Sequence, residues 1–293
     1  METRSGKGST FLRVALASLA FSAFILIDKF MSIGDLLYNL GWPTPLILLG
    51  VTLVRFTLAG IAVLAVMPPI LGFKRLRDWL PGCLGFDVRV ALLGILSFAL
   101  FALLAAGISL ALGIFQGDLS LAFARPDTRP DPDVVGWGFF LLALVPGIWE
   151  ELAFRGLDLS RLRDRFGTTA AVLLSAVFFG LFHLTNLATQ PPAGALLGAV
   201  MAFFFGIGWA VMTIRARSVI PAMIAHYLVD SVGQVFLGVD GTNPALQFEF
   251  FLLLTLTYPL ASILLARLMY RSPVSTAVVG EPHQGPGVSY DPV

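Results

Sequence analysis

The chain has 293 residues, of which 57% are hydrophobic and only 13% charged, and its mean hydropathy is +0.86. Charged residues make up about a quarter of an ordinary globular domain, so a water-soluble domain is excluded. The net charge of +1 and the lack of a basic stretch interleaved with aromatics point to no nucleic-acid partner, and a single cysteine, Cys83, excludes a disulfide framework.

Apolar runs long enough to cross a bilayer recur along the whole chain. They predict an all-α fold, a polytopic membrane helical bundle of about eight transmembrane helices. The spans fall near 11–27, 44–71, 90–115, 134–154, 168–187, 194–214, 218–237 and 247–269. A membrane barrel would show short alternating segments instead. The first span follows the basic segment METRSGKGSTFLR and also reads as a secretory signal peptide. Its removal would leave the other seven spans in the same orientation. In the second span, Pro68-Pro69 is expected to break the helix before the apolar run ends.

Basic residues between spans set the orientation. Fifteen of the 19 Lys and Arg residues fall on one side, among them Arg13, Lys74, Arg75, Arg161 and Arg215. Both termini are therefore expected to be cytoplasmic. One transmembrane domain covers 1–271, with a motif-bearing core at 134–237 and a tail, 272–293, whose turn formers and lack of periodicity predict disorder. His283 lies in that tail and is assigned no role. Residues 116–133 are expected to form an external loop. The excess of Arg over Lys, with abundant Ala, Gly and Leu, is the pattern of a GC-rich bacterial genome, hence of a bacterial plasma membrane.

Ionisable residues in spans face the bundle interior and mark function. Those at issue are Arg55, Glu150, Glu151, Arg155, His183, His226 and Asp230. Glu151 and Arg155, four residues apart, share a helical face and can pair. Glu150 points about 100° away on an α-helix and finds only Ala153 and Phe154 at i+3 and i+4. It is expected to lack a local partner and to face a polar cavity. Phe179 precedes His183 by one turn, and His226 and Asp230 project together at i, i+4. Glu150 and His183 lie almost equally far from Gly167, so helices flanking a turn there bring both to the same height. That requires the fourth helix to continue through DLSRLRDRF as a cytoplasmic extension. His226, nine residues beyond Arg217, is then about 13 Å below the cytoplasmic border. Arg55 reads as a counter-charge to this acidic site or as a side chain reaching for an interface.

The residues suit peptide hydrolysis, which needs an activated water and a place for the oxyanion. Two versions are open. In one, His183, His226 and a carboxylate, Asp230 or Glu151, hold Zn²⁺ and Glu150 takes the proton of its water. In the other, Glu150 and one histidine activate water directly, and the second histidine or Asp230 polarises the carbonyl. The sequence has no HExxH and no GxSxG, so thermolysin-like and serine mechanisms are disfavoured.

EELAFR, FGLFH and HYLVD, in that order on successive spans, fit the patterns EExxxR, FxxxH and HxxxN/D. Together they resemble the CPBP intramembrane protease family, which includes the Ras-converting CAAX endopeptidase and the bacterial Abi-type proteins. The resemblance covers 134–237. It implies about eight helices, an active site inside the bilayer and a membrane-associated peptide or protein substrate; the residue counts above put that site in the cytoplasmic half. Glu150 takes the place of the general base, with Glu151 and Arg155 beside it and His183 and His226 completing the site. Asp230 stands at the N/D position, where relatives with Asn lack its charge. Two other readings remain: a non-proteolytic immunity or accessory protein of the same family, and a proton-coupled transporter with the same residues as a relay.

Overall fold

The computed structural model describes residues 6–122, 138–233 and 243–270. The tail with His283, and all of the expected external loop beyond Ala122, lie outside the described residues. Within them the fold is all-α, a membrane bundle with no β-strand. Its helices are α1 (Lys7–Met31), α2 (Ile33–Asn39), α3 (Thr44–Ile61), α4 (Met67–Leu71), α5 (Leu80–Cys83), α6 (Val88–Gln116), α7 (Gly138–Leu142), α8 (Leu159–Phe166), α9 (Thr168–His183), α10 (Pro192–Ala216), α11 (Ile220–Leu228) and α12 (Pro244–Met269).

Among the described residues, six helical stretches are long and apolar enough to cross a membrane: 7–39, 44–71, 88–116, 168–188, 192–216 and 245–269. They match six of the eight expected spans. The described parts of the fourth and seventh apolar runs are also helical, but neither is one uninterrupted α-helix. The fourth is wound as α7, two π-helical segments, Pro146–Glu150 and Leu152–Asp158, and then α8. The seventh is α11 followed by a π-helical segment, Val229–Gly233. α8 is the helical extension expected through DLSRLRDRF. It ends at Gly167, whose φ of 76° is a conformation costly for any residue with a Cβ.

One helix expectation fails. The second span runs to Leu71 despite Pro68-Pro69, because a π-helical turn, Ala62–Val66, precedes them. A wider turn shifts the backbone bonding to i→i+5, as in Met67 N–H to Ala62 O. The prolines then begin a new α-helical turn, where a missing N–H is tolerated.

Leu103, Phe115 and Leu260 are 70%, 84% and 67% exposed, and exposed Leu and Ile side chains cover the outer faces of α1, α3, α6, α9 and α12. So much contiguous apolar surface is incompatible with water and natural in lipid. The protein is an integral membrane protein. Inside, α9 packs along α10, α10 along α12, and α6 against both α11 and α12. α1 belongs to this core: Phe21 is fully buried against Phe154 and Phe182, and Ser18 donates to the buried Asp158 at 2.8 Å.

Outside the spans, the connection before α6 is tied to the one between α10 and α11. Val219 N–H donates to Cys83 O at 2.9 Å, next to a bridge between Leu84 and Ser218. The Cys83 thiol donates to Leu80 O, and burial pushes its pKa up to about 12. At pH 8 it is a thiol, which is unreactive. Folded protein in detergent is expected to resist maleimide over hours and to label fully once denatured; rapid labelling of the folded form would show that this junction opens.

Candidate active site

The three motifs come together through two close approaches. A Cβ on Gly147 would lie 2.9 Å from Tyr227 Cβ and 3.2 Å from its backbone nitrogen. Only glycine lets the stretch before Glu150 rest on α11, one residue from His226. On the other side Ser175 of α9 donates to Phe154 O at 2.9 Å, fastening α9 to the π-helical segment.

The π winding changes the geometry assumed for an α-helix. A π turn brings residues five apart onto one side, so Arg155 is a neighbour of both glutamates. Arg155 Nη1 donates to Glu151 Oε1 at 3.1 Å and its charge also interacts with Glu150 and Asp158. Glu150 thus has a cation on its own segment but no bond to it. Its Oε2 is nevertheless buried without a hydrogen-bond partner. Glu151 Oε2 is buried unpartnered as well; the two acids differ in that Glu151 Oε1 is held by Arg155 and His226, so that Glu151 is locked and Glu150 is poised.

Glu151 Oε1 serves a second partner, His226 Nδ1, at 2.9 Å. On the other edge of the ring, His226 Nε2 lies 3.3 Å from Asp230 Oδ2. Glu151, Arg155 and His226 are all buried, whereas the Asp230 side chain is 24% exposed. Carboxylates accept, so a ring bonded at both nitrogens carries hydrogen on both unless one acid is itself protonated. A buried charge cluster persists only if paired in this way.

The aromatic residue of FGLFH joins the two histidines. The Phe179 ring meets His183 edge-on at 4.6 Å and His226 at 6.0 Å, and the Arg155 guanidinium lies over it at 4.0 Å. His183 Nδ1 is 2.9 Å from Phe179 O. A carbonyl only accepts, so this bond places the hydrogen on Nδ1 and leaves the Nε2 lone pair for another partner. His183 interacts electrostatically with His226, Asp230 and Arg155, and Glu150 with His226, Asp230, Glu151 and Arg155. Six of the seven ionisable residues singled out in the sequence, all but Arg55, therefore belong to one neighbourhood. Arg55 is half-buried on α3, next to Phe56, whose ring meets Trp149 at 5.0 Å.

Two residues here were not singled out from the sequence. Trp209 of α10 stacks on the His226 ring at 4.3 Å with 27° between planes. Asp158, fully buried, sits near Arg155 and on Ser18. Asp158 lies three residues after Arg155, and that spacing is a signal available in the sequence. Trp209 is one of many aromatics on an all-round apolar helix and carries none.

From donor types the expected zinc set is His183, His226 and Asp230, with Glu151 as the alternative, grouped around one point. Among the described residues no three His, Cys, Asp or Glu side chains group in that way. The bonds explain why. Both nitrogens of His226 already face carboxylates, and Glu151 Oε1 is shared between His226 and Arg155.

No curated protein and no solved structure matches the chain. A family model does match residues 132–232, and its description is type II CAAX prenyl endopeptidase Rce1-like. The match begins just before the fourth apolar run and ends two residues past Asp230, so it encloses all three motifs. Over this segment the chain is similar to the Rce1-like CAAX prenyl endopeptidases, the same direction as the resemblance of EELAFR, FGLFH and HYLVD.

Proposed function

We propose that the protein is an intramembrane endopeptidase in which Glu150 activates water without a metal. The observation that carries this reading is the contrast between the two glutamates: Glu151 is fixed through Oε1 by Arg155 and His226, whereas Glu150, whose Oε2 is buried unpartnered as Glu151 Oε2 also is, bonds to neither. A fixed, unshared carboxylate beside cations is the group needed to take a proton from water.

In this mechanism a water molecule donates one hydrogen to Glu150 and the other to His183 Nε2. Its oxygen attacks the scissile carbonyl carbon as Glu150 takes the proton. The carbonyl π electrons move to oxygen, and His226 Nε2–H donates to the oxyanion. That nitrogen suits the task because its contact with Asp230 is long and Asp230 is partly exposed. Collapse of the tetrahedral species breaks the C–N bond, and Glu150 returns its proton to the leaving amine. Arg155 and Glu151 hold His226 in place and touch no substrate.

Trp209 lies seven residues before the Ala216 end of α10, about 10 Å along the axis. With the orientation expected from basic residues, the site is in the cytoplasmic half. The family's description gives the first substrate class to try, a prenylated C-terminal CAAX peptide; membrane-proximal peptides of a bacterial host are the second. Arg55 is proposed as a counter-charge at the flank.

The test is cleavage of such peptides by purified protein in liposomes, before and after chelation. Activity that survives chelator and exhaustive metal removal is the expected result. Loss on chelation, with recovery on adding Zn²⁺, would replace this mechanism with the metal version. No cleavage of any membrane-tethered peptide would favour the accessory-protein reading.

A further inference from the structure

The polar groups on α6, α10 and α12 form a chain that ends on His226. Trp209 Nε1 donates to Tyr258 Oη at 3.0 Å. Tyr258 Oη is 3.0 Å from Ser97 Oγ, which is 3.1 Å from Ser262 Oγ. All four residues are buried. An indole N–H donates only, so Tyr258 accepts from Trp209. In the Tyr258–Ser97 and Ser97–Ser262 pairs either hydroxyl can donate. At the other end the Trp209 ring lies on the imidazole of His226, centroids 4.3 Å apart.

Backbone contact makes the chain possible. A Cβ on Gly208 would be 3.2 Å from Pro259 Cα and 3.5 Å from Ser262 Cβ. α10 and α12 therefore touch at the residues adjoining Trp209 and Tyr258. Phe205 and Phe101 meet the Tyr258 ring edge-on at 4.8 and 5.3 Å and close the remaining sides. The tyrosine has one position, and its hydroxyl fixes the rotation of the indole about its ring plane.

We propose that Tyr258 is a positioning residue for His226. Acting through Trp209, α12 and α6 set the plane in which the imidazole presents Nδ1 to Glu151 and Nε2 to Asp230. Both helices lie outside the matched segment 132–232, so this part of the site is supplied by the rest of the bundle. The edge bonds to Glu151 and Asp230 restrain the ring's direction, while Trp209 restrains its face. A ring held on two edges and one face cannot tilt. Without the Tyr258 hydroxyl the buried indole N–H has no acceptor, and Trp209 turns to seek one, releasing the face of His226.

The catalytic consequence rests on the protease reading; the coupling of Tyr258 to His226 does not. The experiment therefore has two readouts on protein in liposomes: ¹⁵N chemical shifts of labelled histidine, with His226→Gln for assignment, and peptide cleavage. The variants are Tyr258→Phe, Trp209→Phe and Ser262→Ala. Ser262→Ala removes a hydrogen bond from the same cluster but leaves the Trp209–Tyr258 bond, so it reports what simple loss of helix contact does. Tyr258→Phe and Trp209→Phe are expected to move the His226 ring resonances and to lower kcat by roughly 10- to 100-fold at unchanged KM. Ser262→Ala is expected to lower the melting temperature and change neither. Unmoved His226 resonances in folded Tyr258→Phe and Trp209→Phe, or equal shifts in Ser262→Ala, would overturn the proposal. If wild type cleaves nothing, the resonances still decide it, and only the protease reading falls.

Discussion

Glu150→Gln is expected to lower kcat/KM for peptide cleavage by roughly 10²- to 10⁴-fold, the usual worth of a general base. It is expected to leave the bundle as stable as wild type or slightly more so. The amide has almost the same shape, so packing is kept. It cannot take a proton from water, so turnover is lost. Stability should not suffer, because Glu150 Oε2 is buried without a hydrogen bond, and a neutral group is easier to bury than an unpaired charge. Cleavage rate and thermal unfolding in detergent, measured on the same preparation, check both halves. A variant that is stable and still cleaves at the wild-type rate would remove Glu150 from the mechanism.

Glu151→Ala should do the reverse in kind. It removes the one acceptor shared by Arg155 and His226, at 3.1 and 2.9 Å, and leaves two buried cationic groups facing a void. Breaking a buried pair from one side costs about 3–5 kcal/mol, a large share of the stability of any domain. The expected observation is a melting temperature lowered far more than in Glu150→Gln, with poor yield in the membrane. Glu151→Gln, which keeps an acceptor oxygen for one partner, should fall between the two. If Glu151→Ala melts with wild type, the ion-pair cluster is not what holds α11 to the motif-bearing segment. Neighbouring carboxylates of the same chemical type are thus predicted to fail in opposite ways, one in catalysis and one in folding.

The membrane class and the motif residues were legible because both are local. Long apolar runs state their solvent, and the i, i+4 spacings of Glu151 with Arg155 and of His226 with Asp230 survive small changes in winding. The turn at Gly167 and the helix through DLSRLRDRF followed from counting residues at 1.5 Å each. Expectations failed where the helix itself was not α. Pro68-Pro69 is accommodated by a π turn, and the same winding at 146–158 brings Arg155 to Glu150 as well as to Glu151. No periodicity written into so apolar a segment signals that change, since every face of it is compatible with burial or lipid.

Donor types say nothing of which lone pairs are free. Two histidines and several acids are a plausible metal set in any order, but their bonding partners decide whether lone pairs remain. Here Glu151 and Asp230 take both nitrogens of His226, a pairing between helices 75 residues apart for Glu151.

By itself, the sequence determined that this chain is helical, lives in a bilayer and carries three motifs at heights that allow them to meet. Composition and spacing suffice for that, because helix rise and hydrophobic length are fixed by backbone geometry. Only the tertiary structure decided which acid is locked and which is poised, and that an indole anchored on the last helix covers His226. Those outcomes depend on close backbone approaches at Gly147 and Gly208 and on competition among buried donors for too few acceptors. Both are properties of neighbours in space, and no order along the chain encodes them directly.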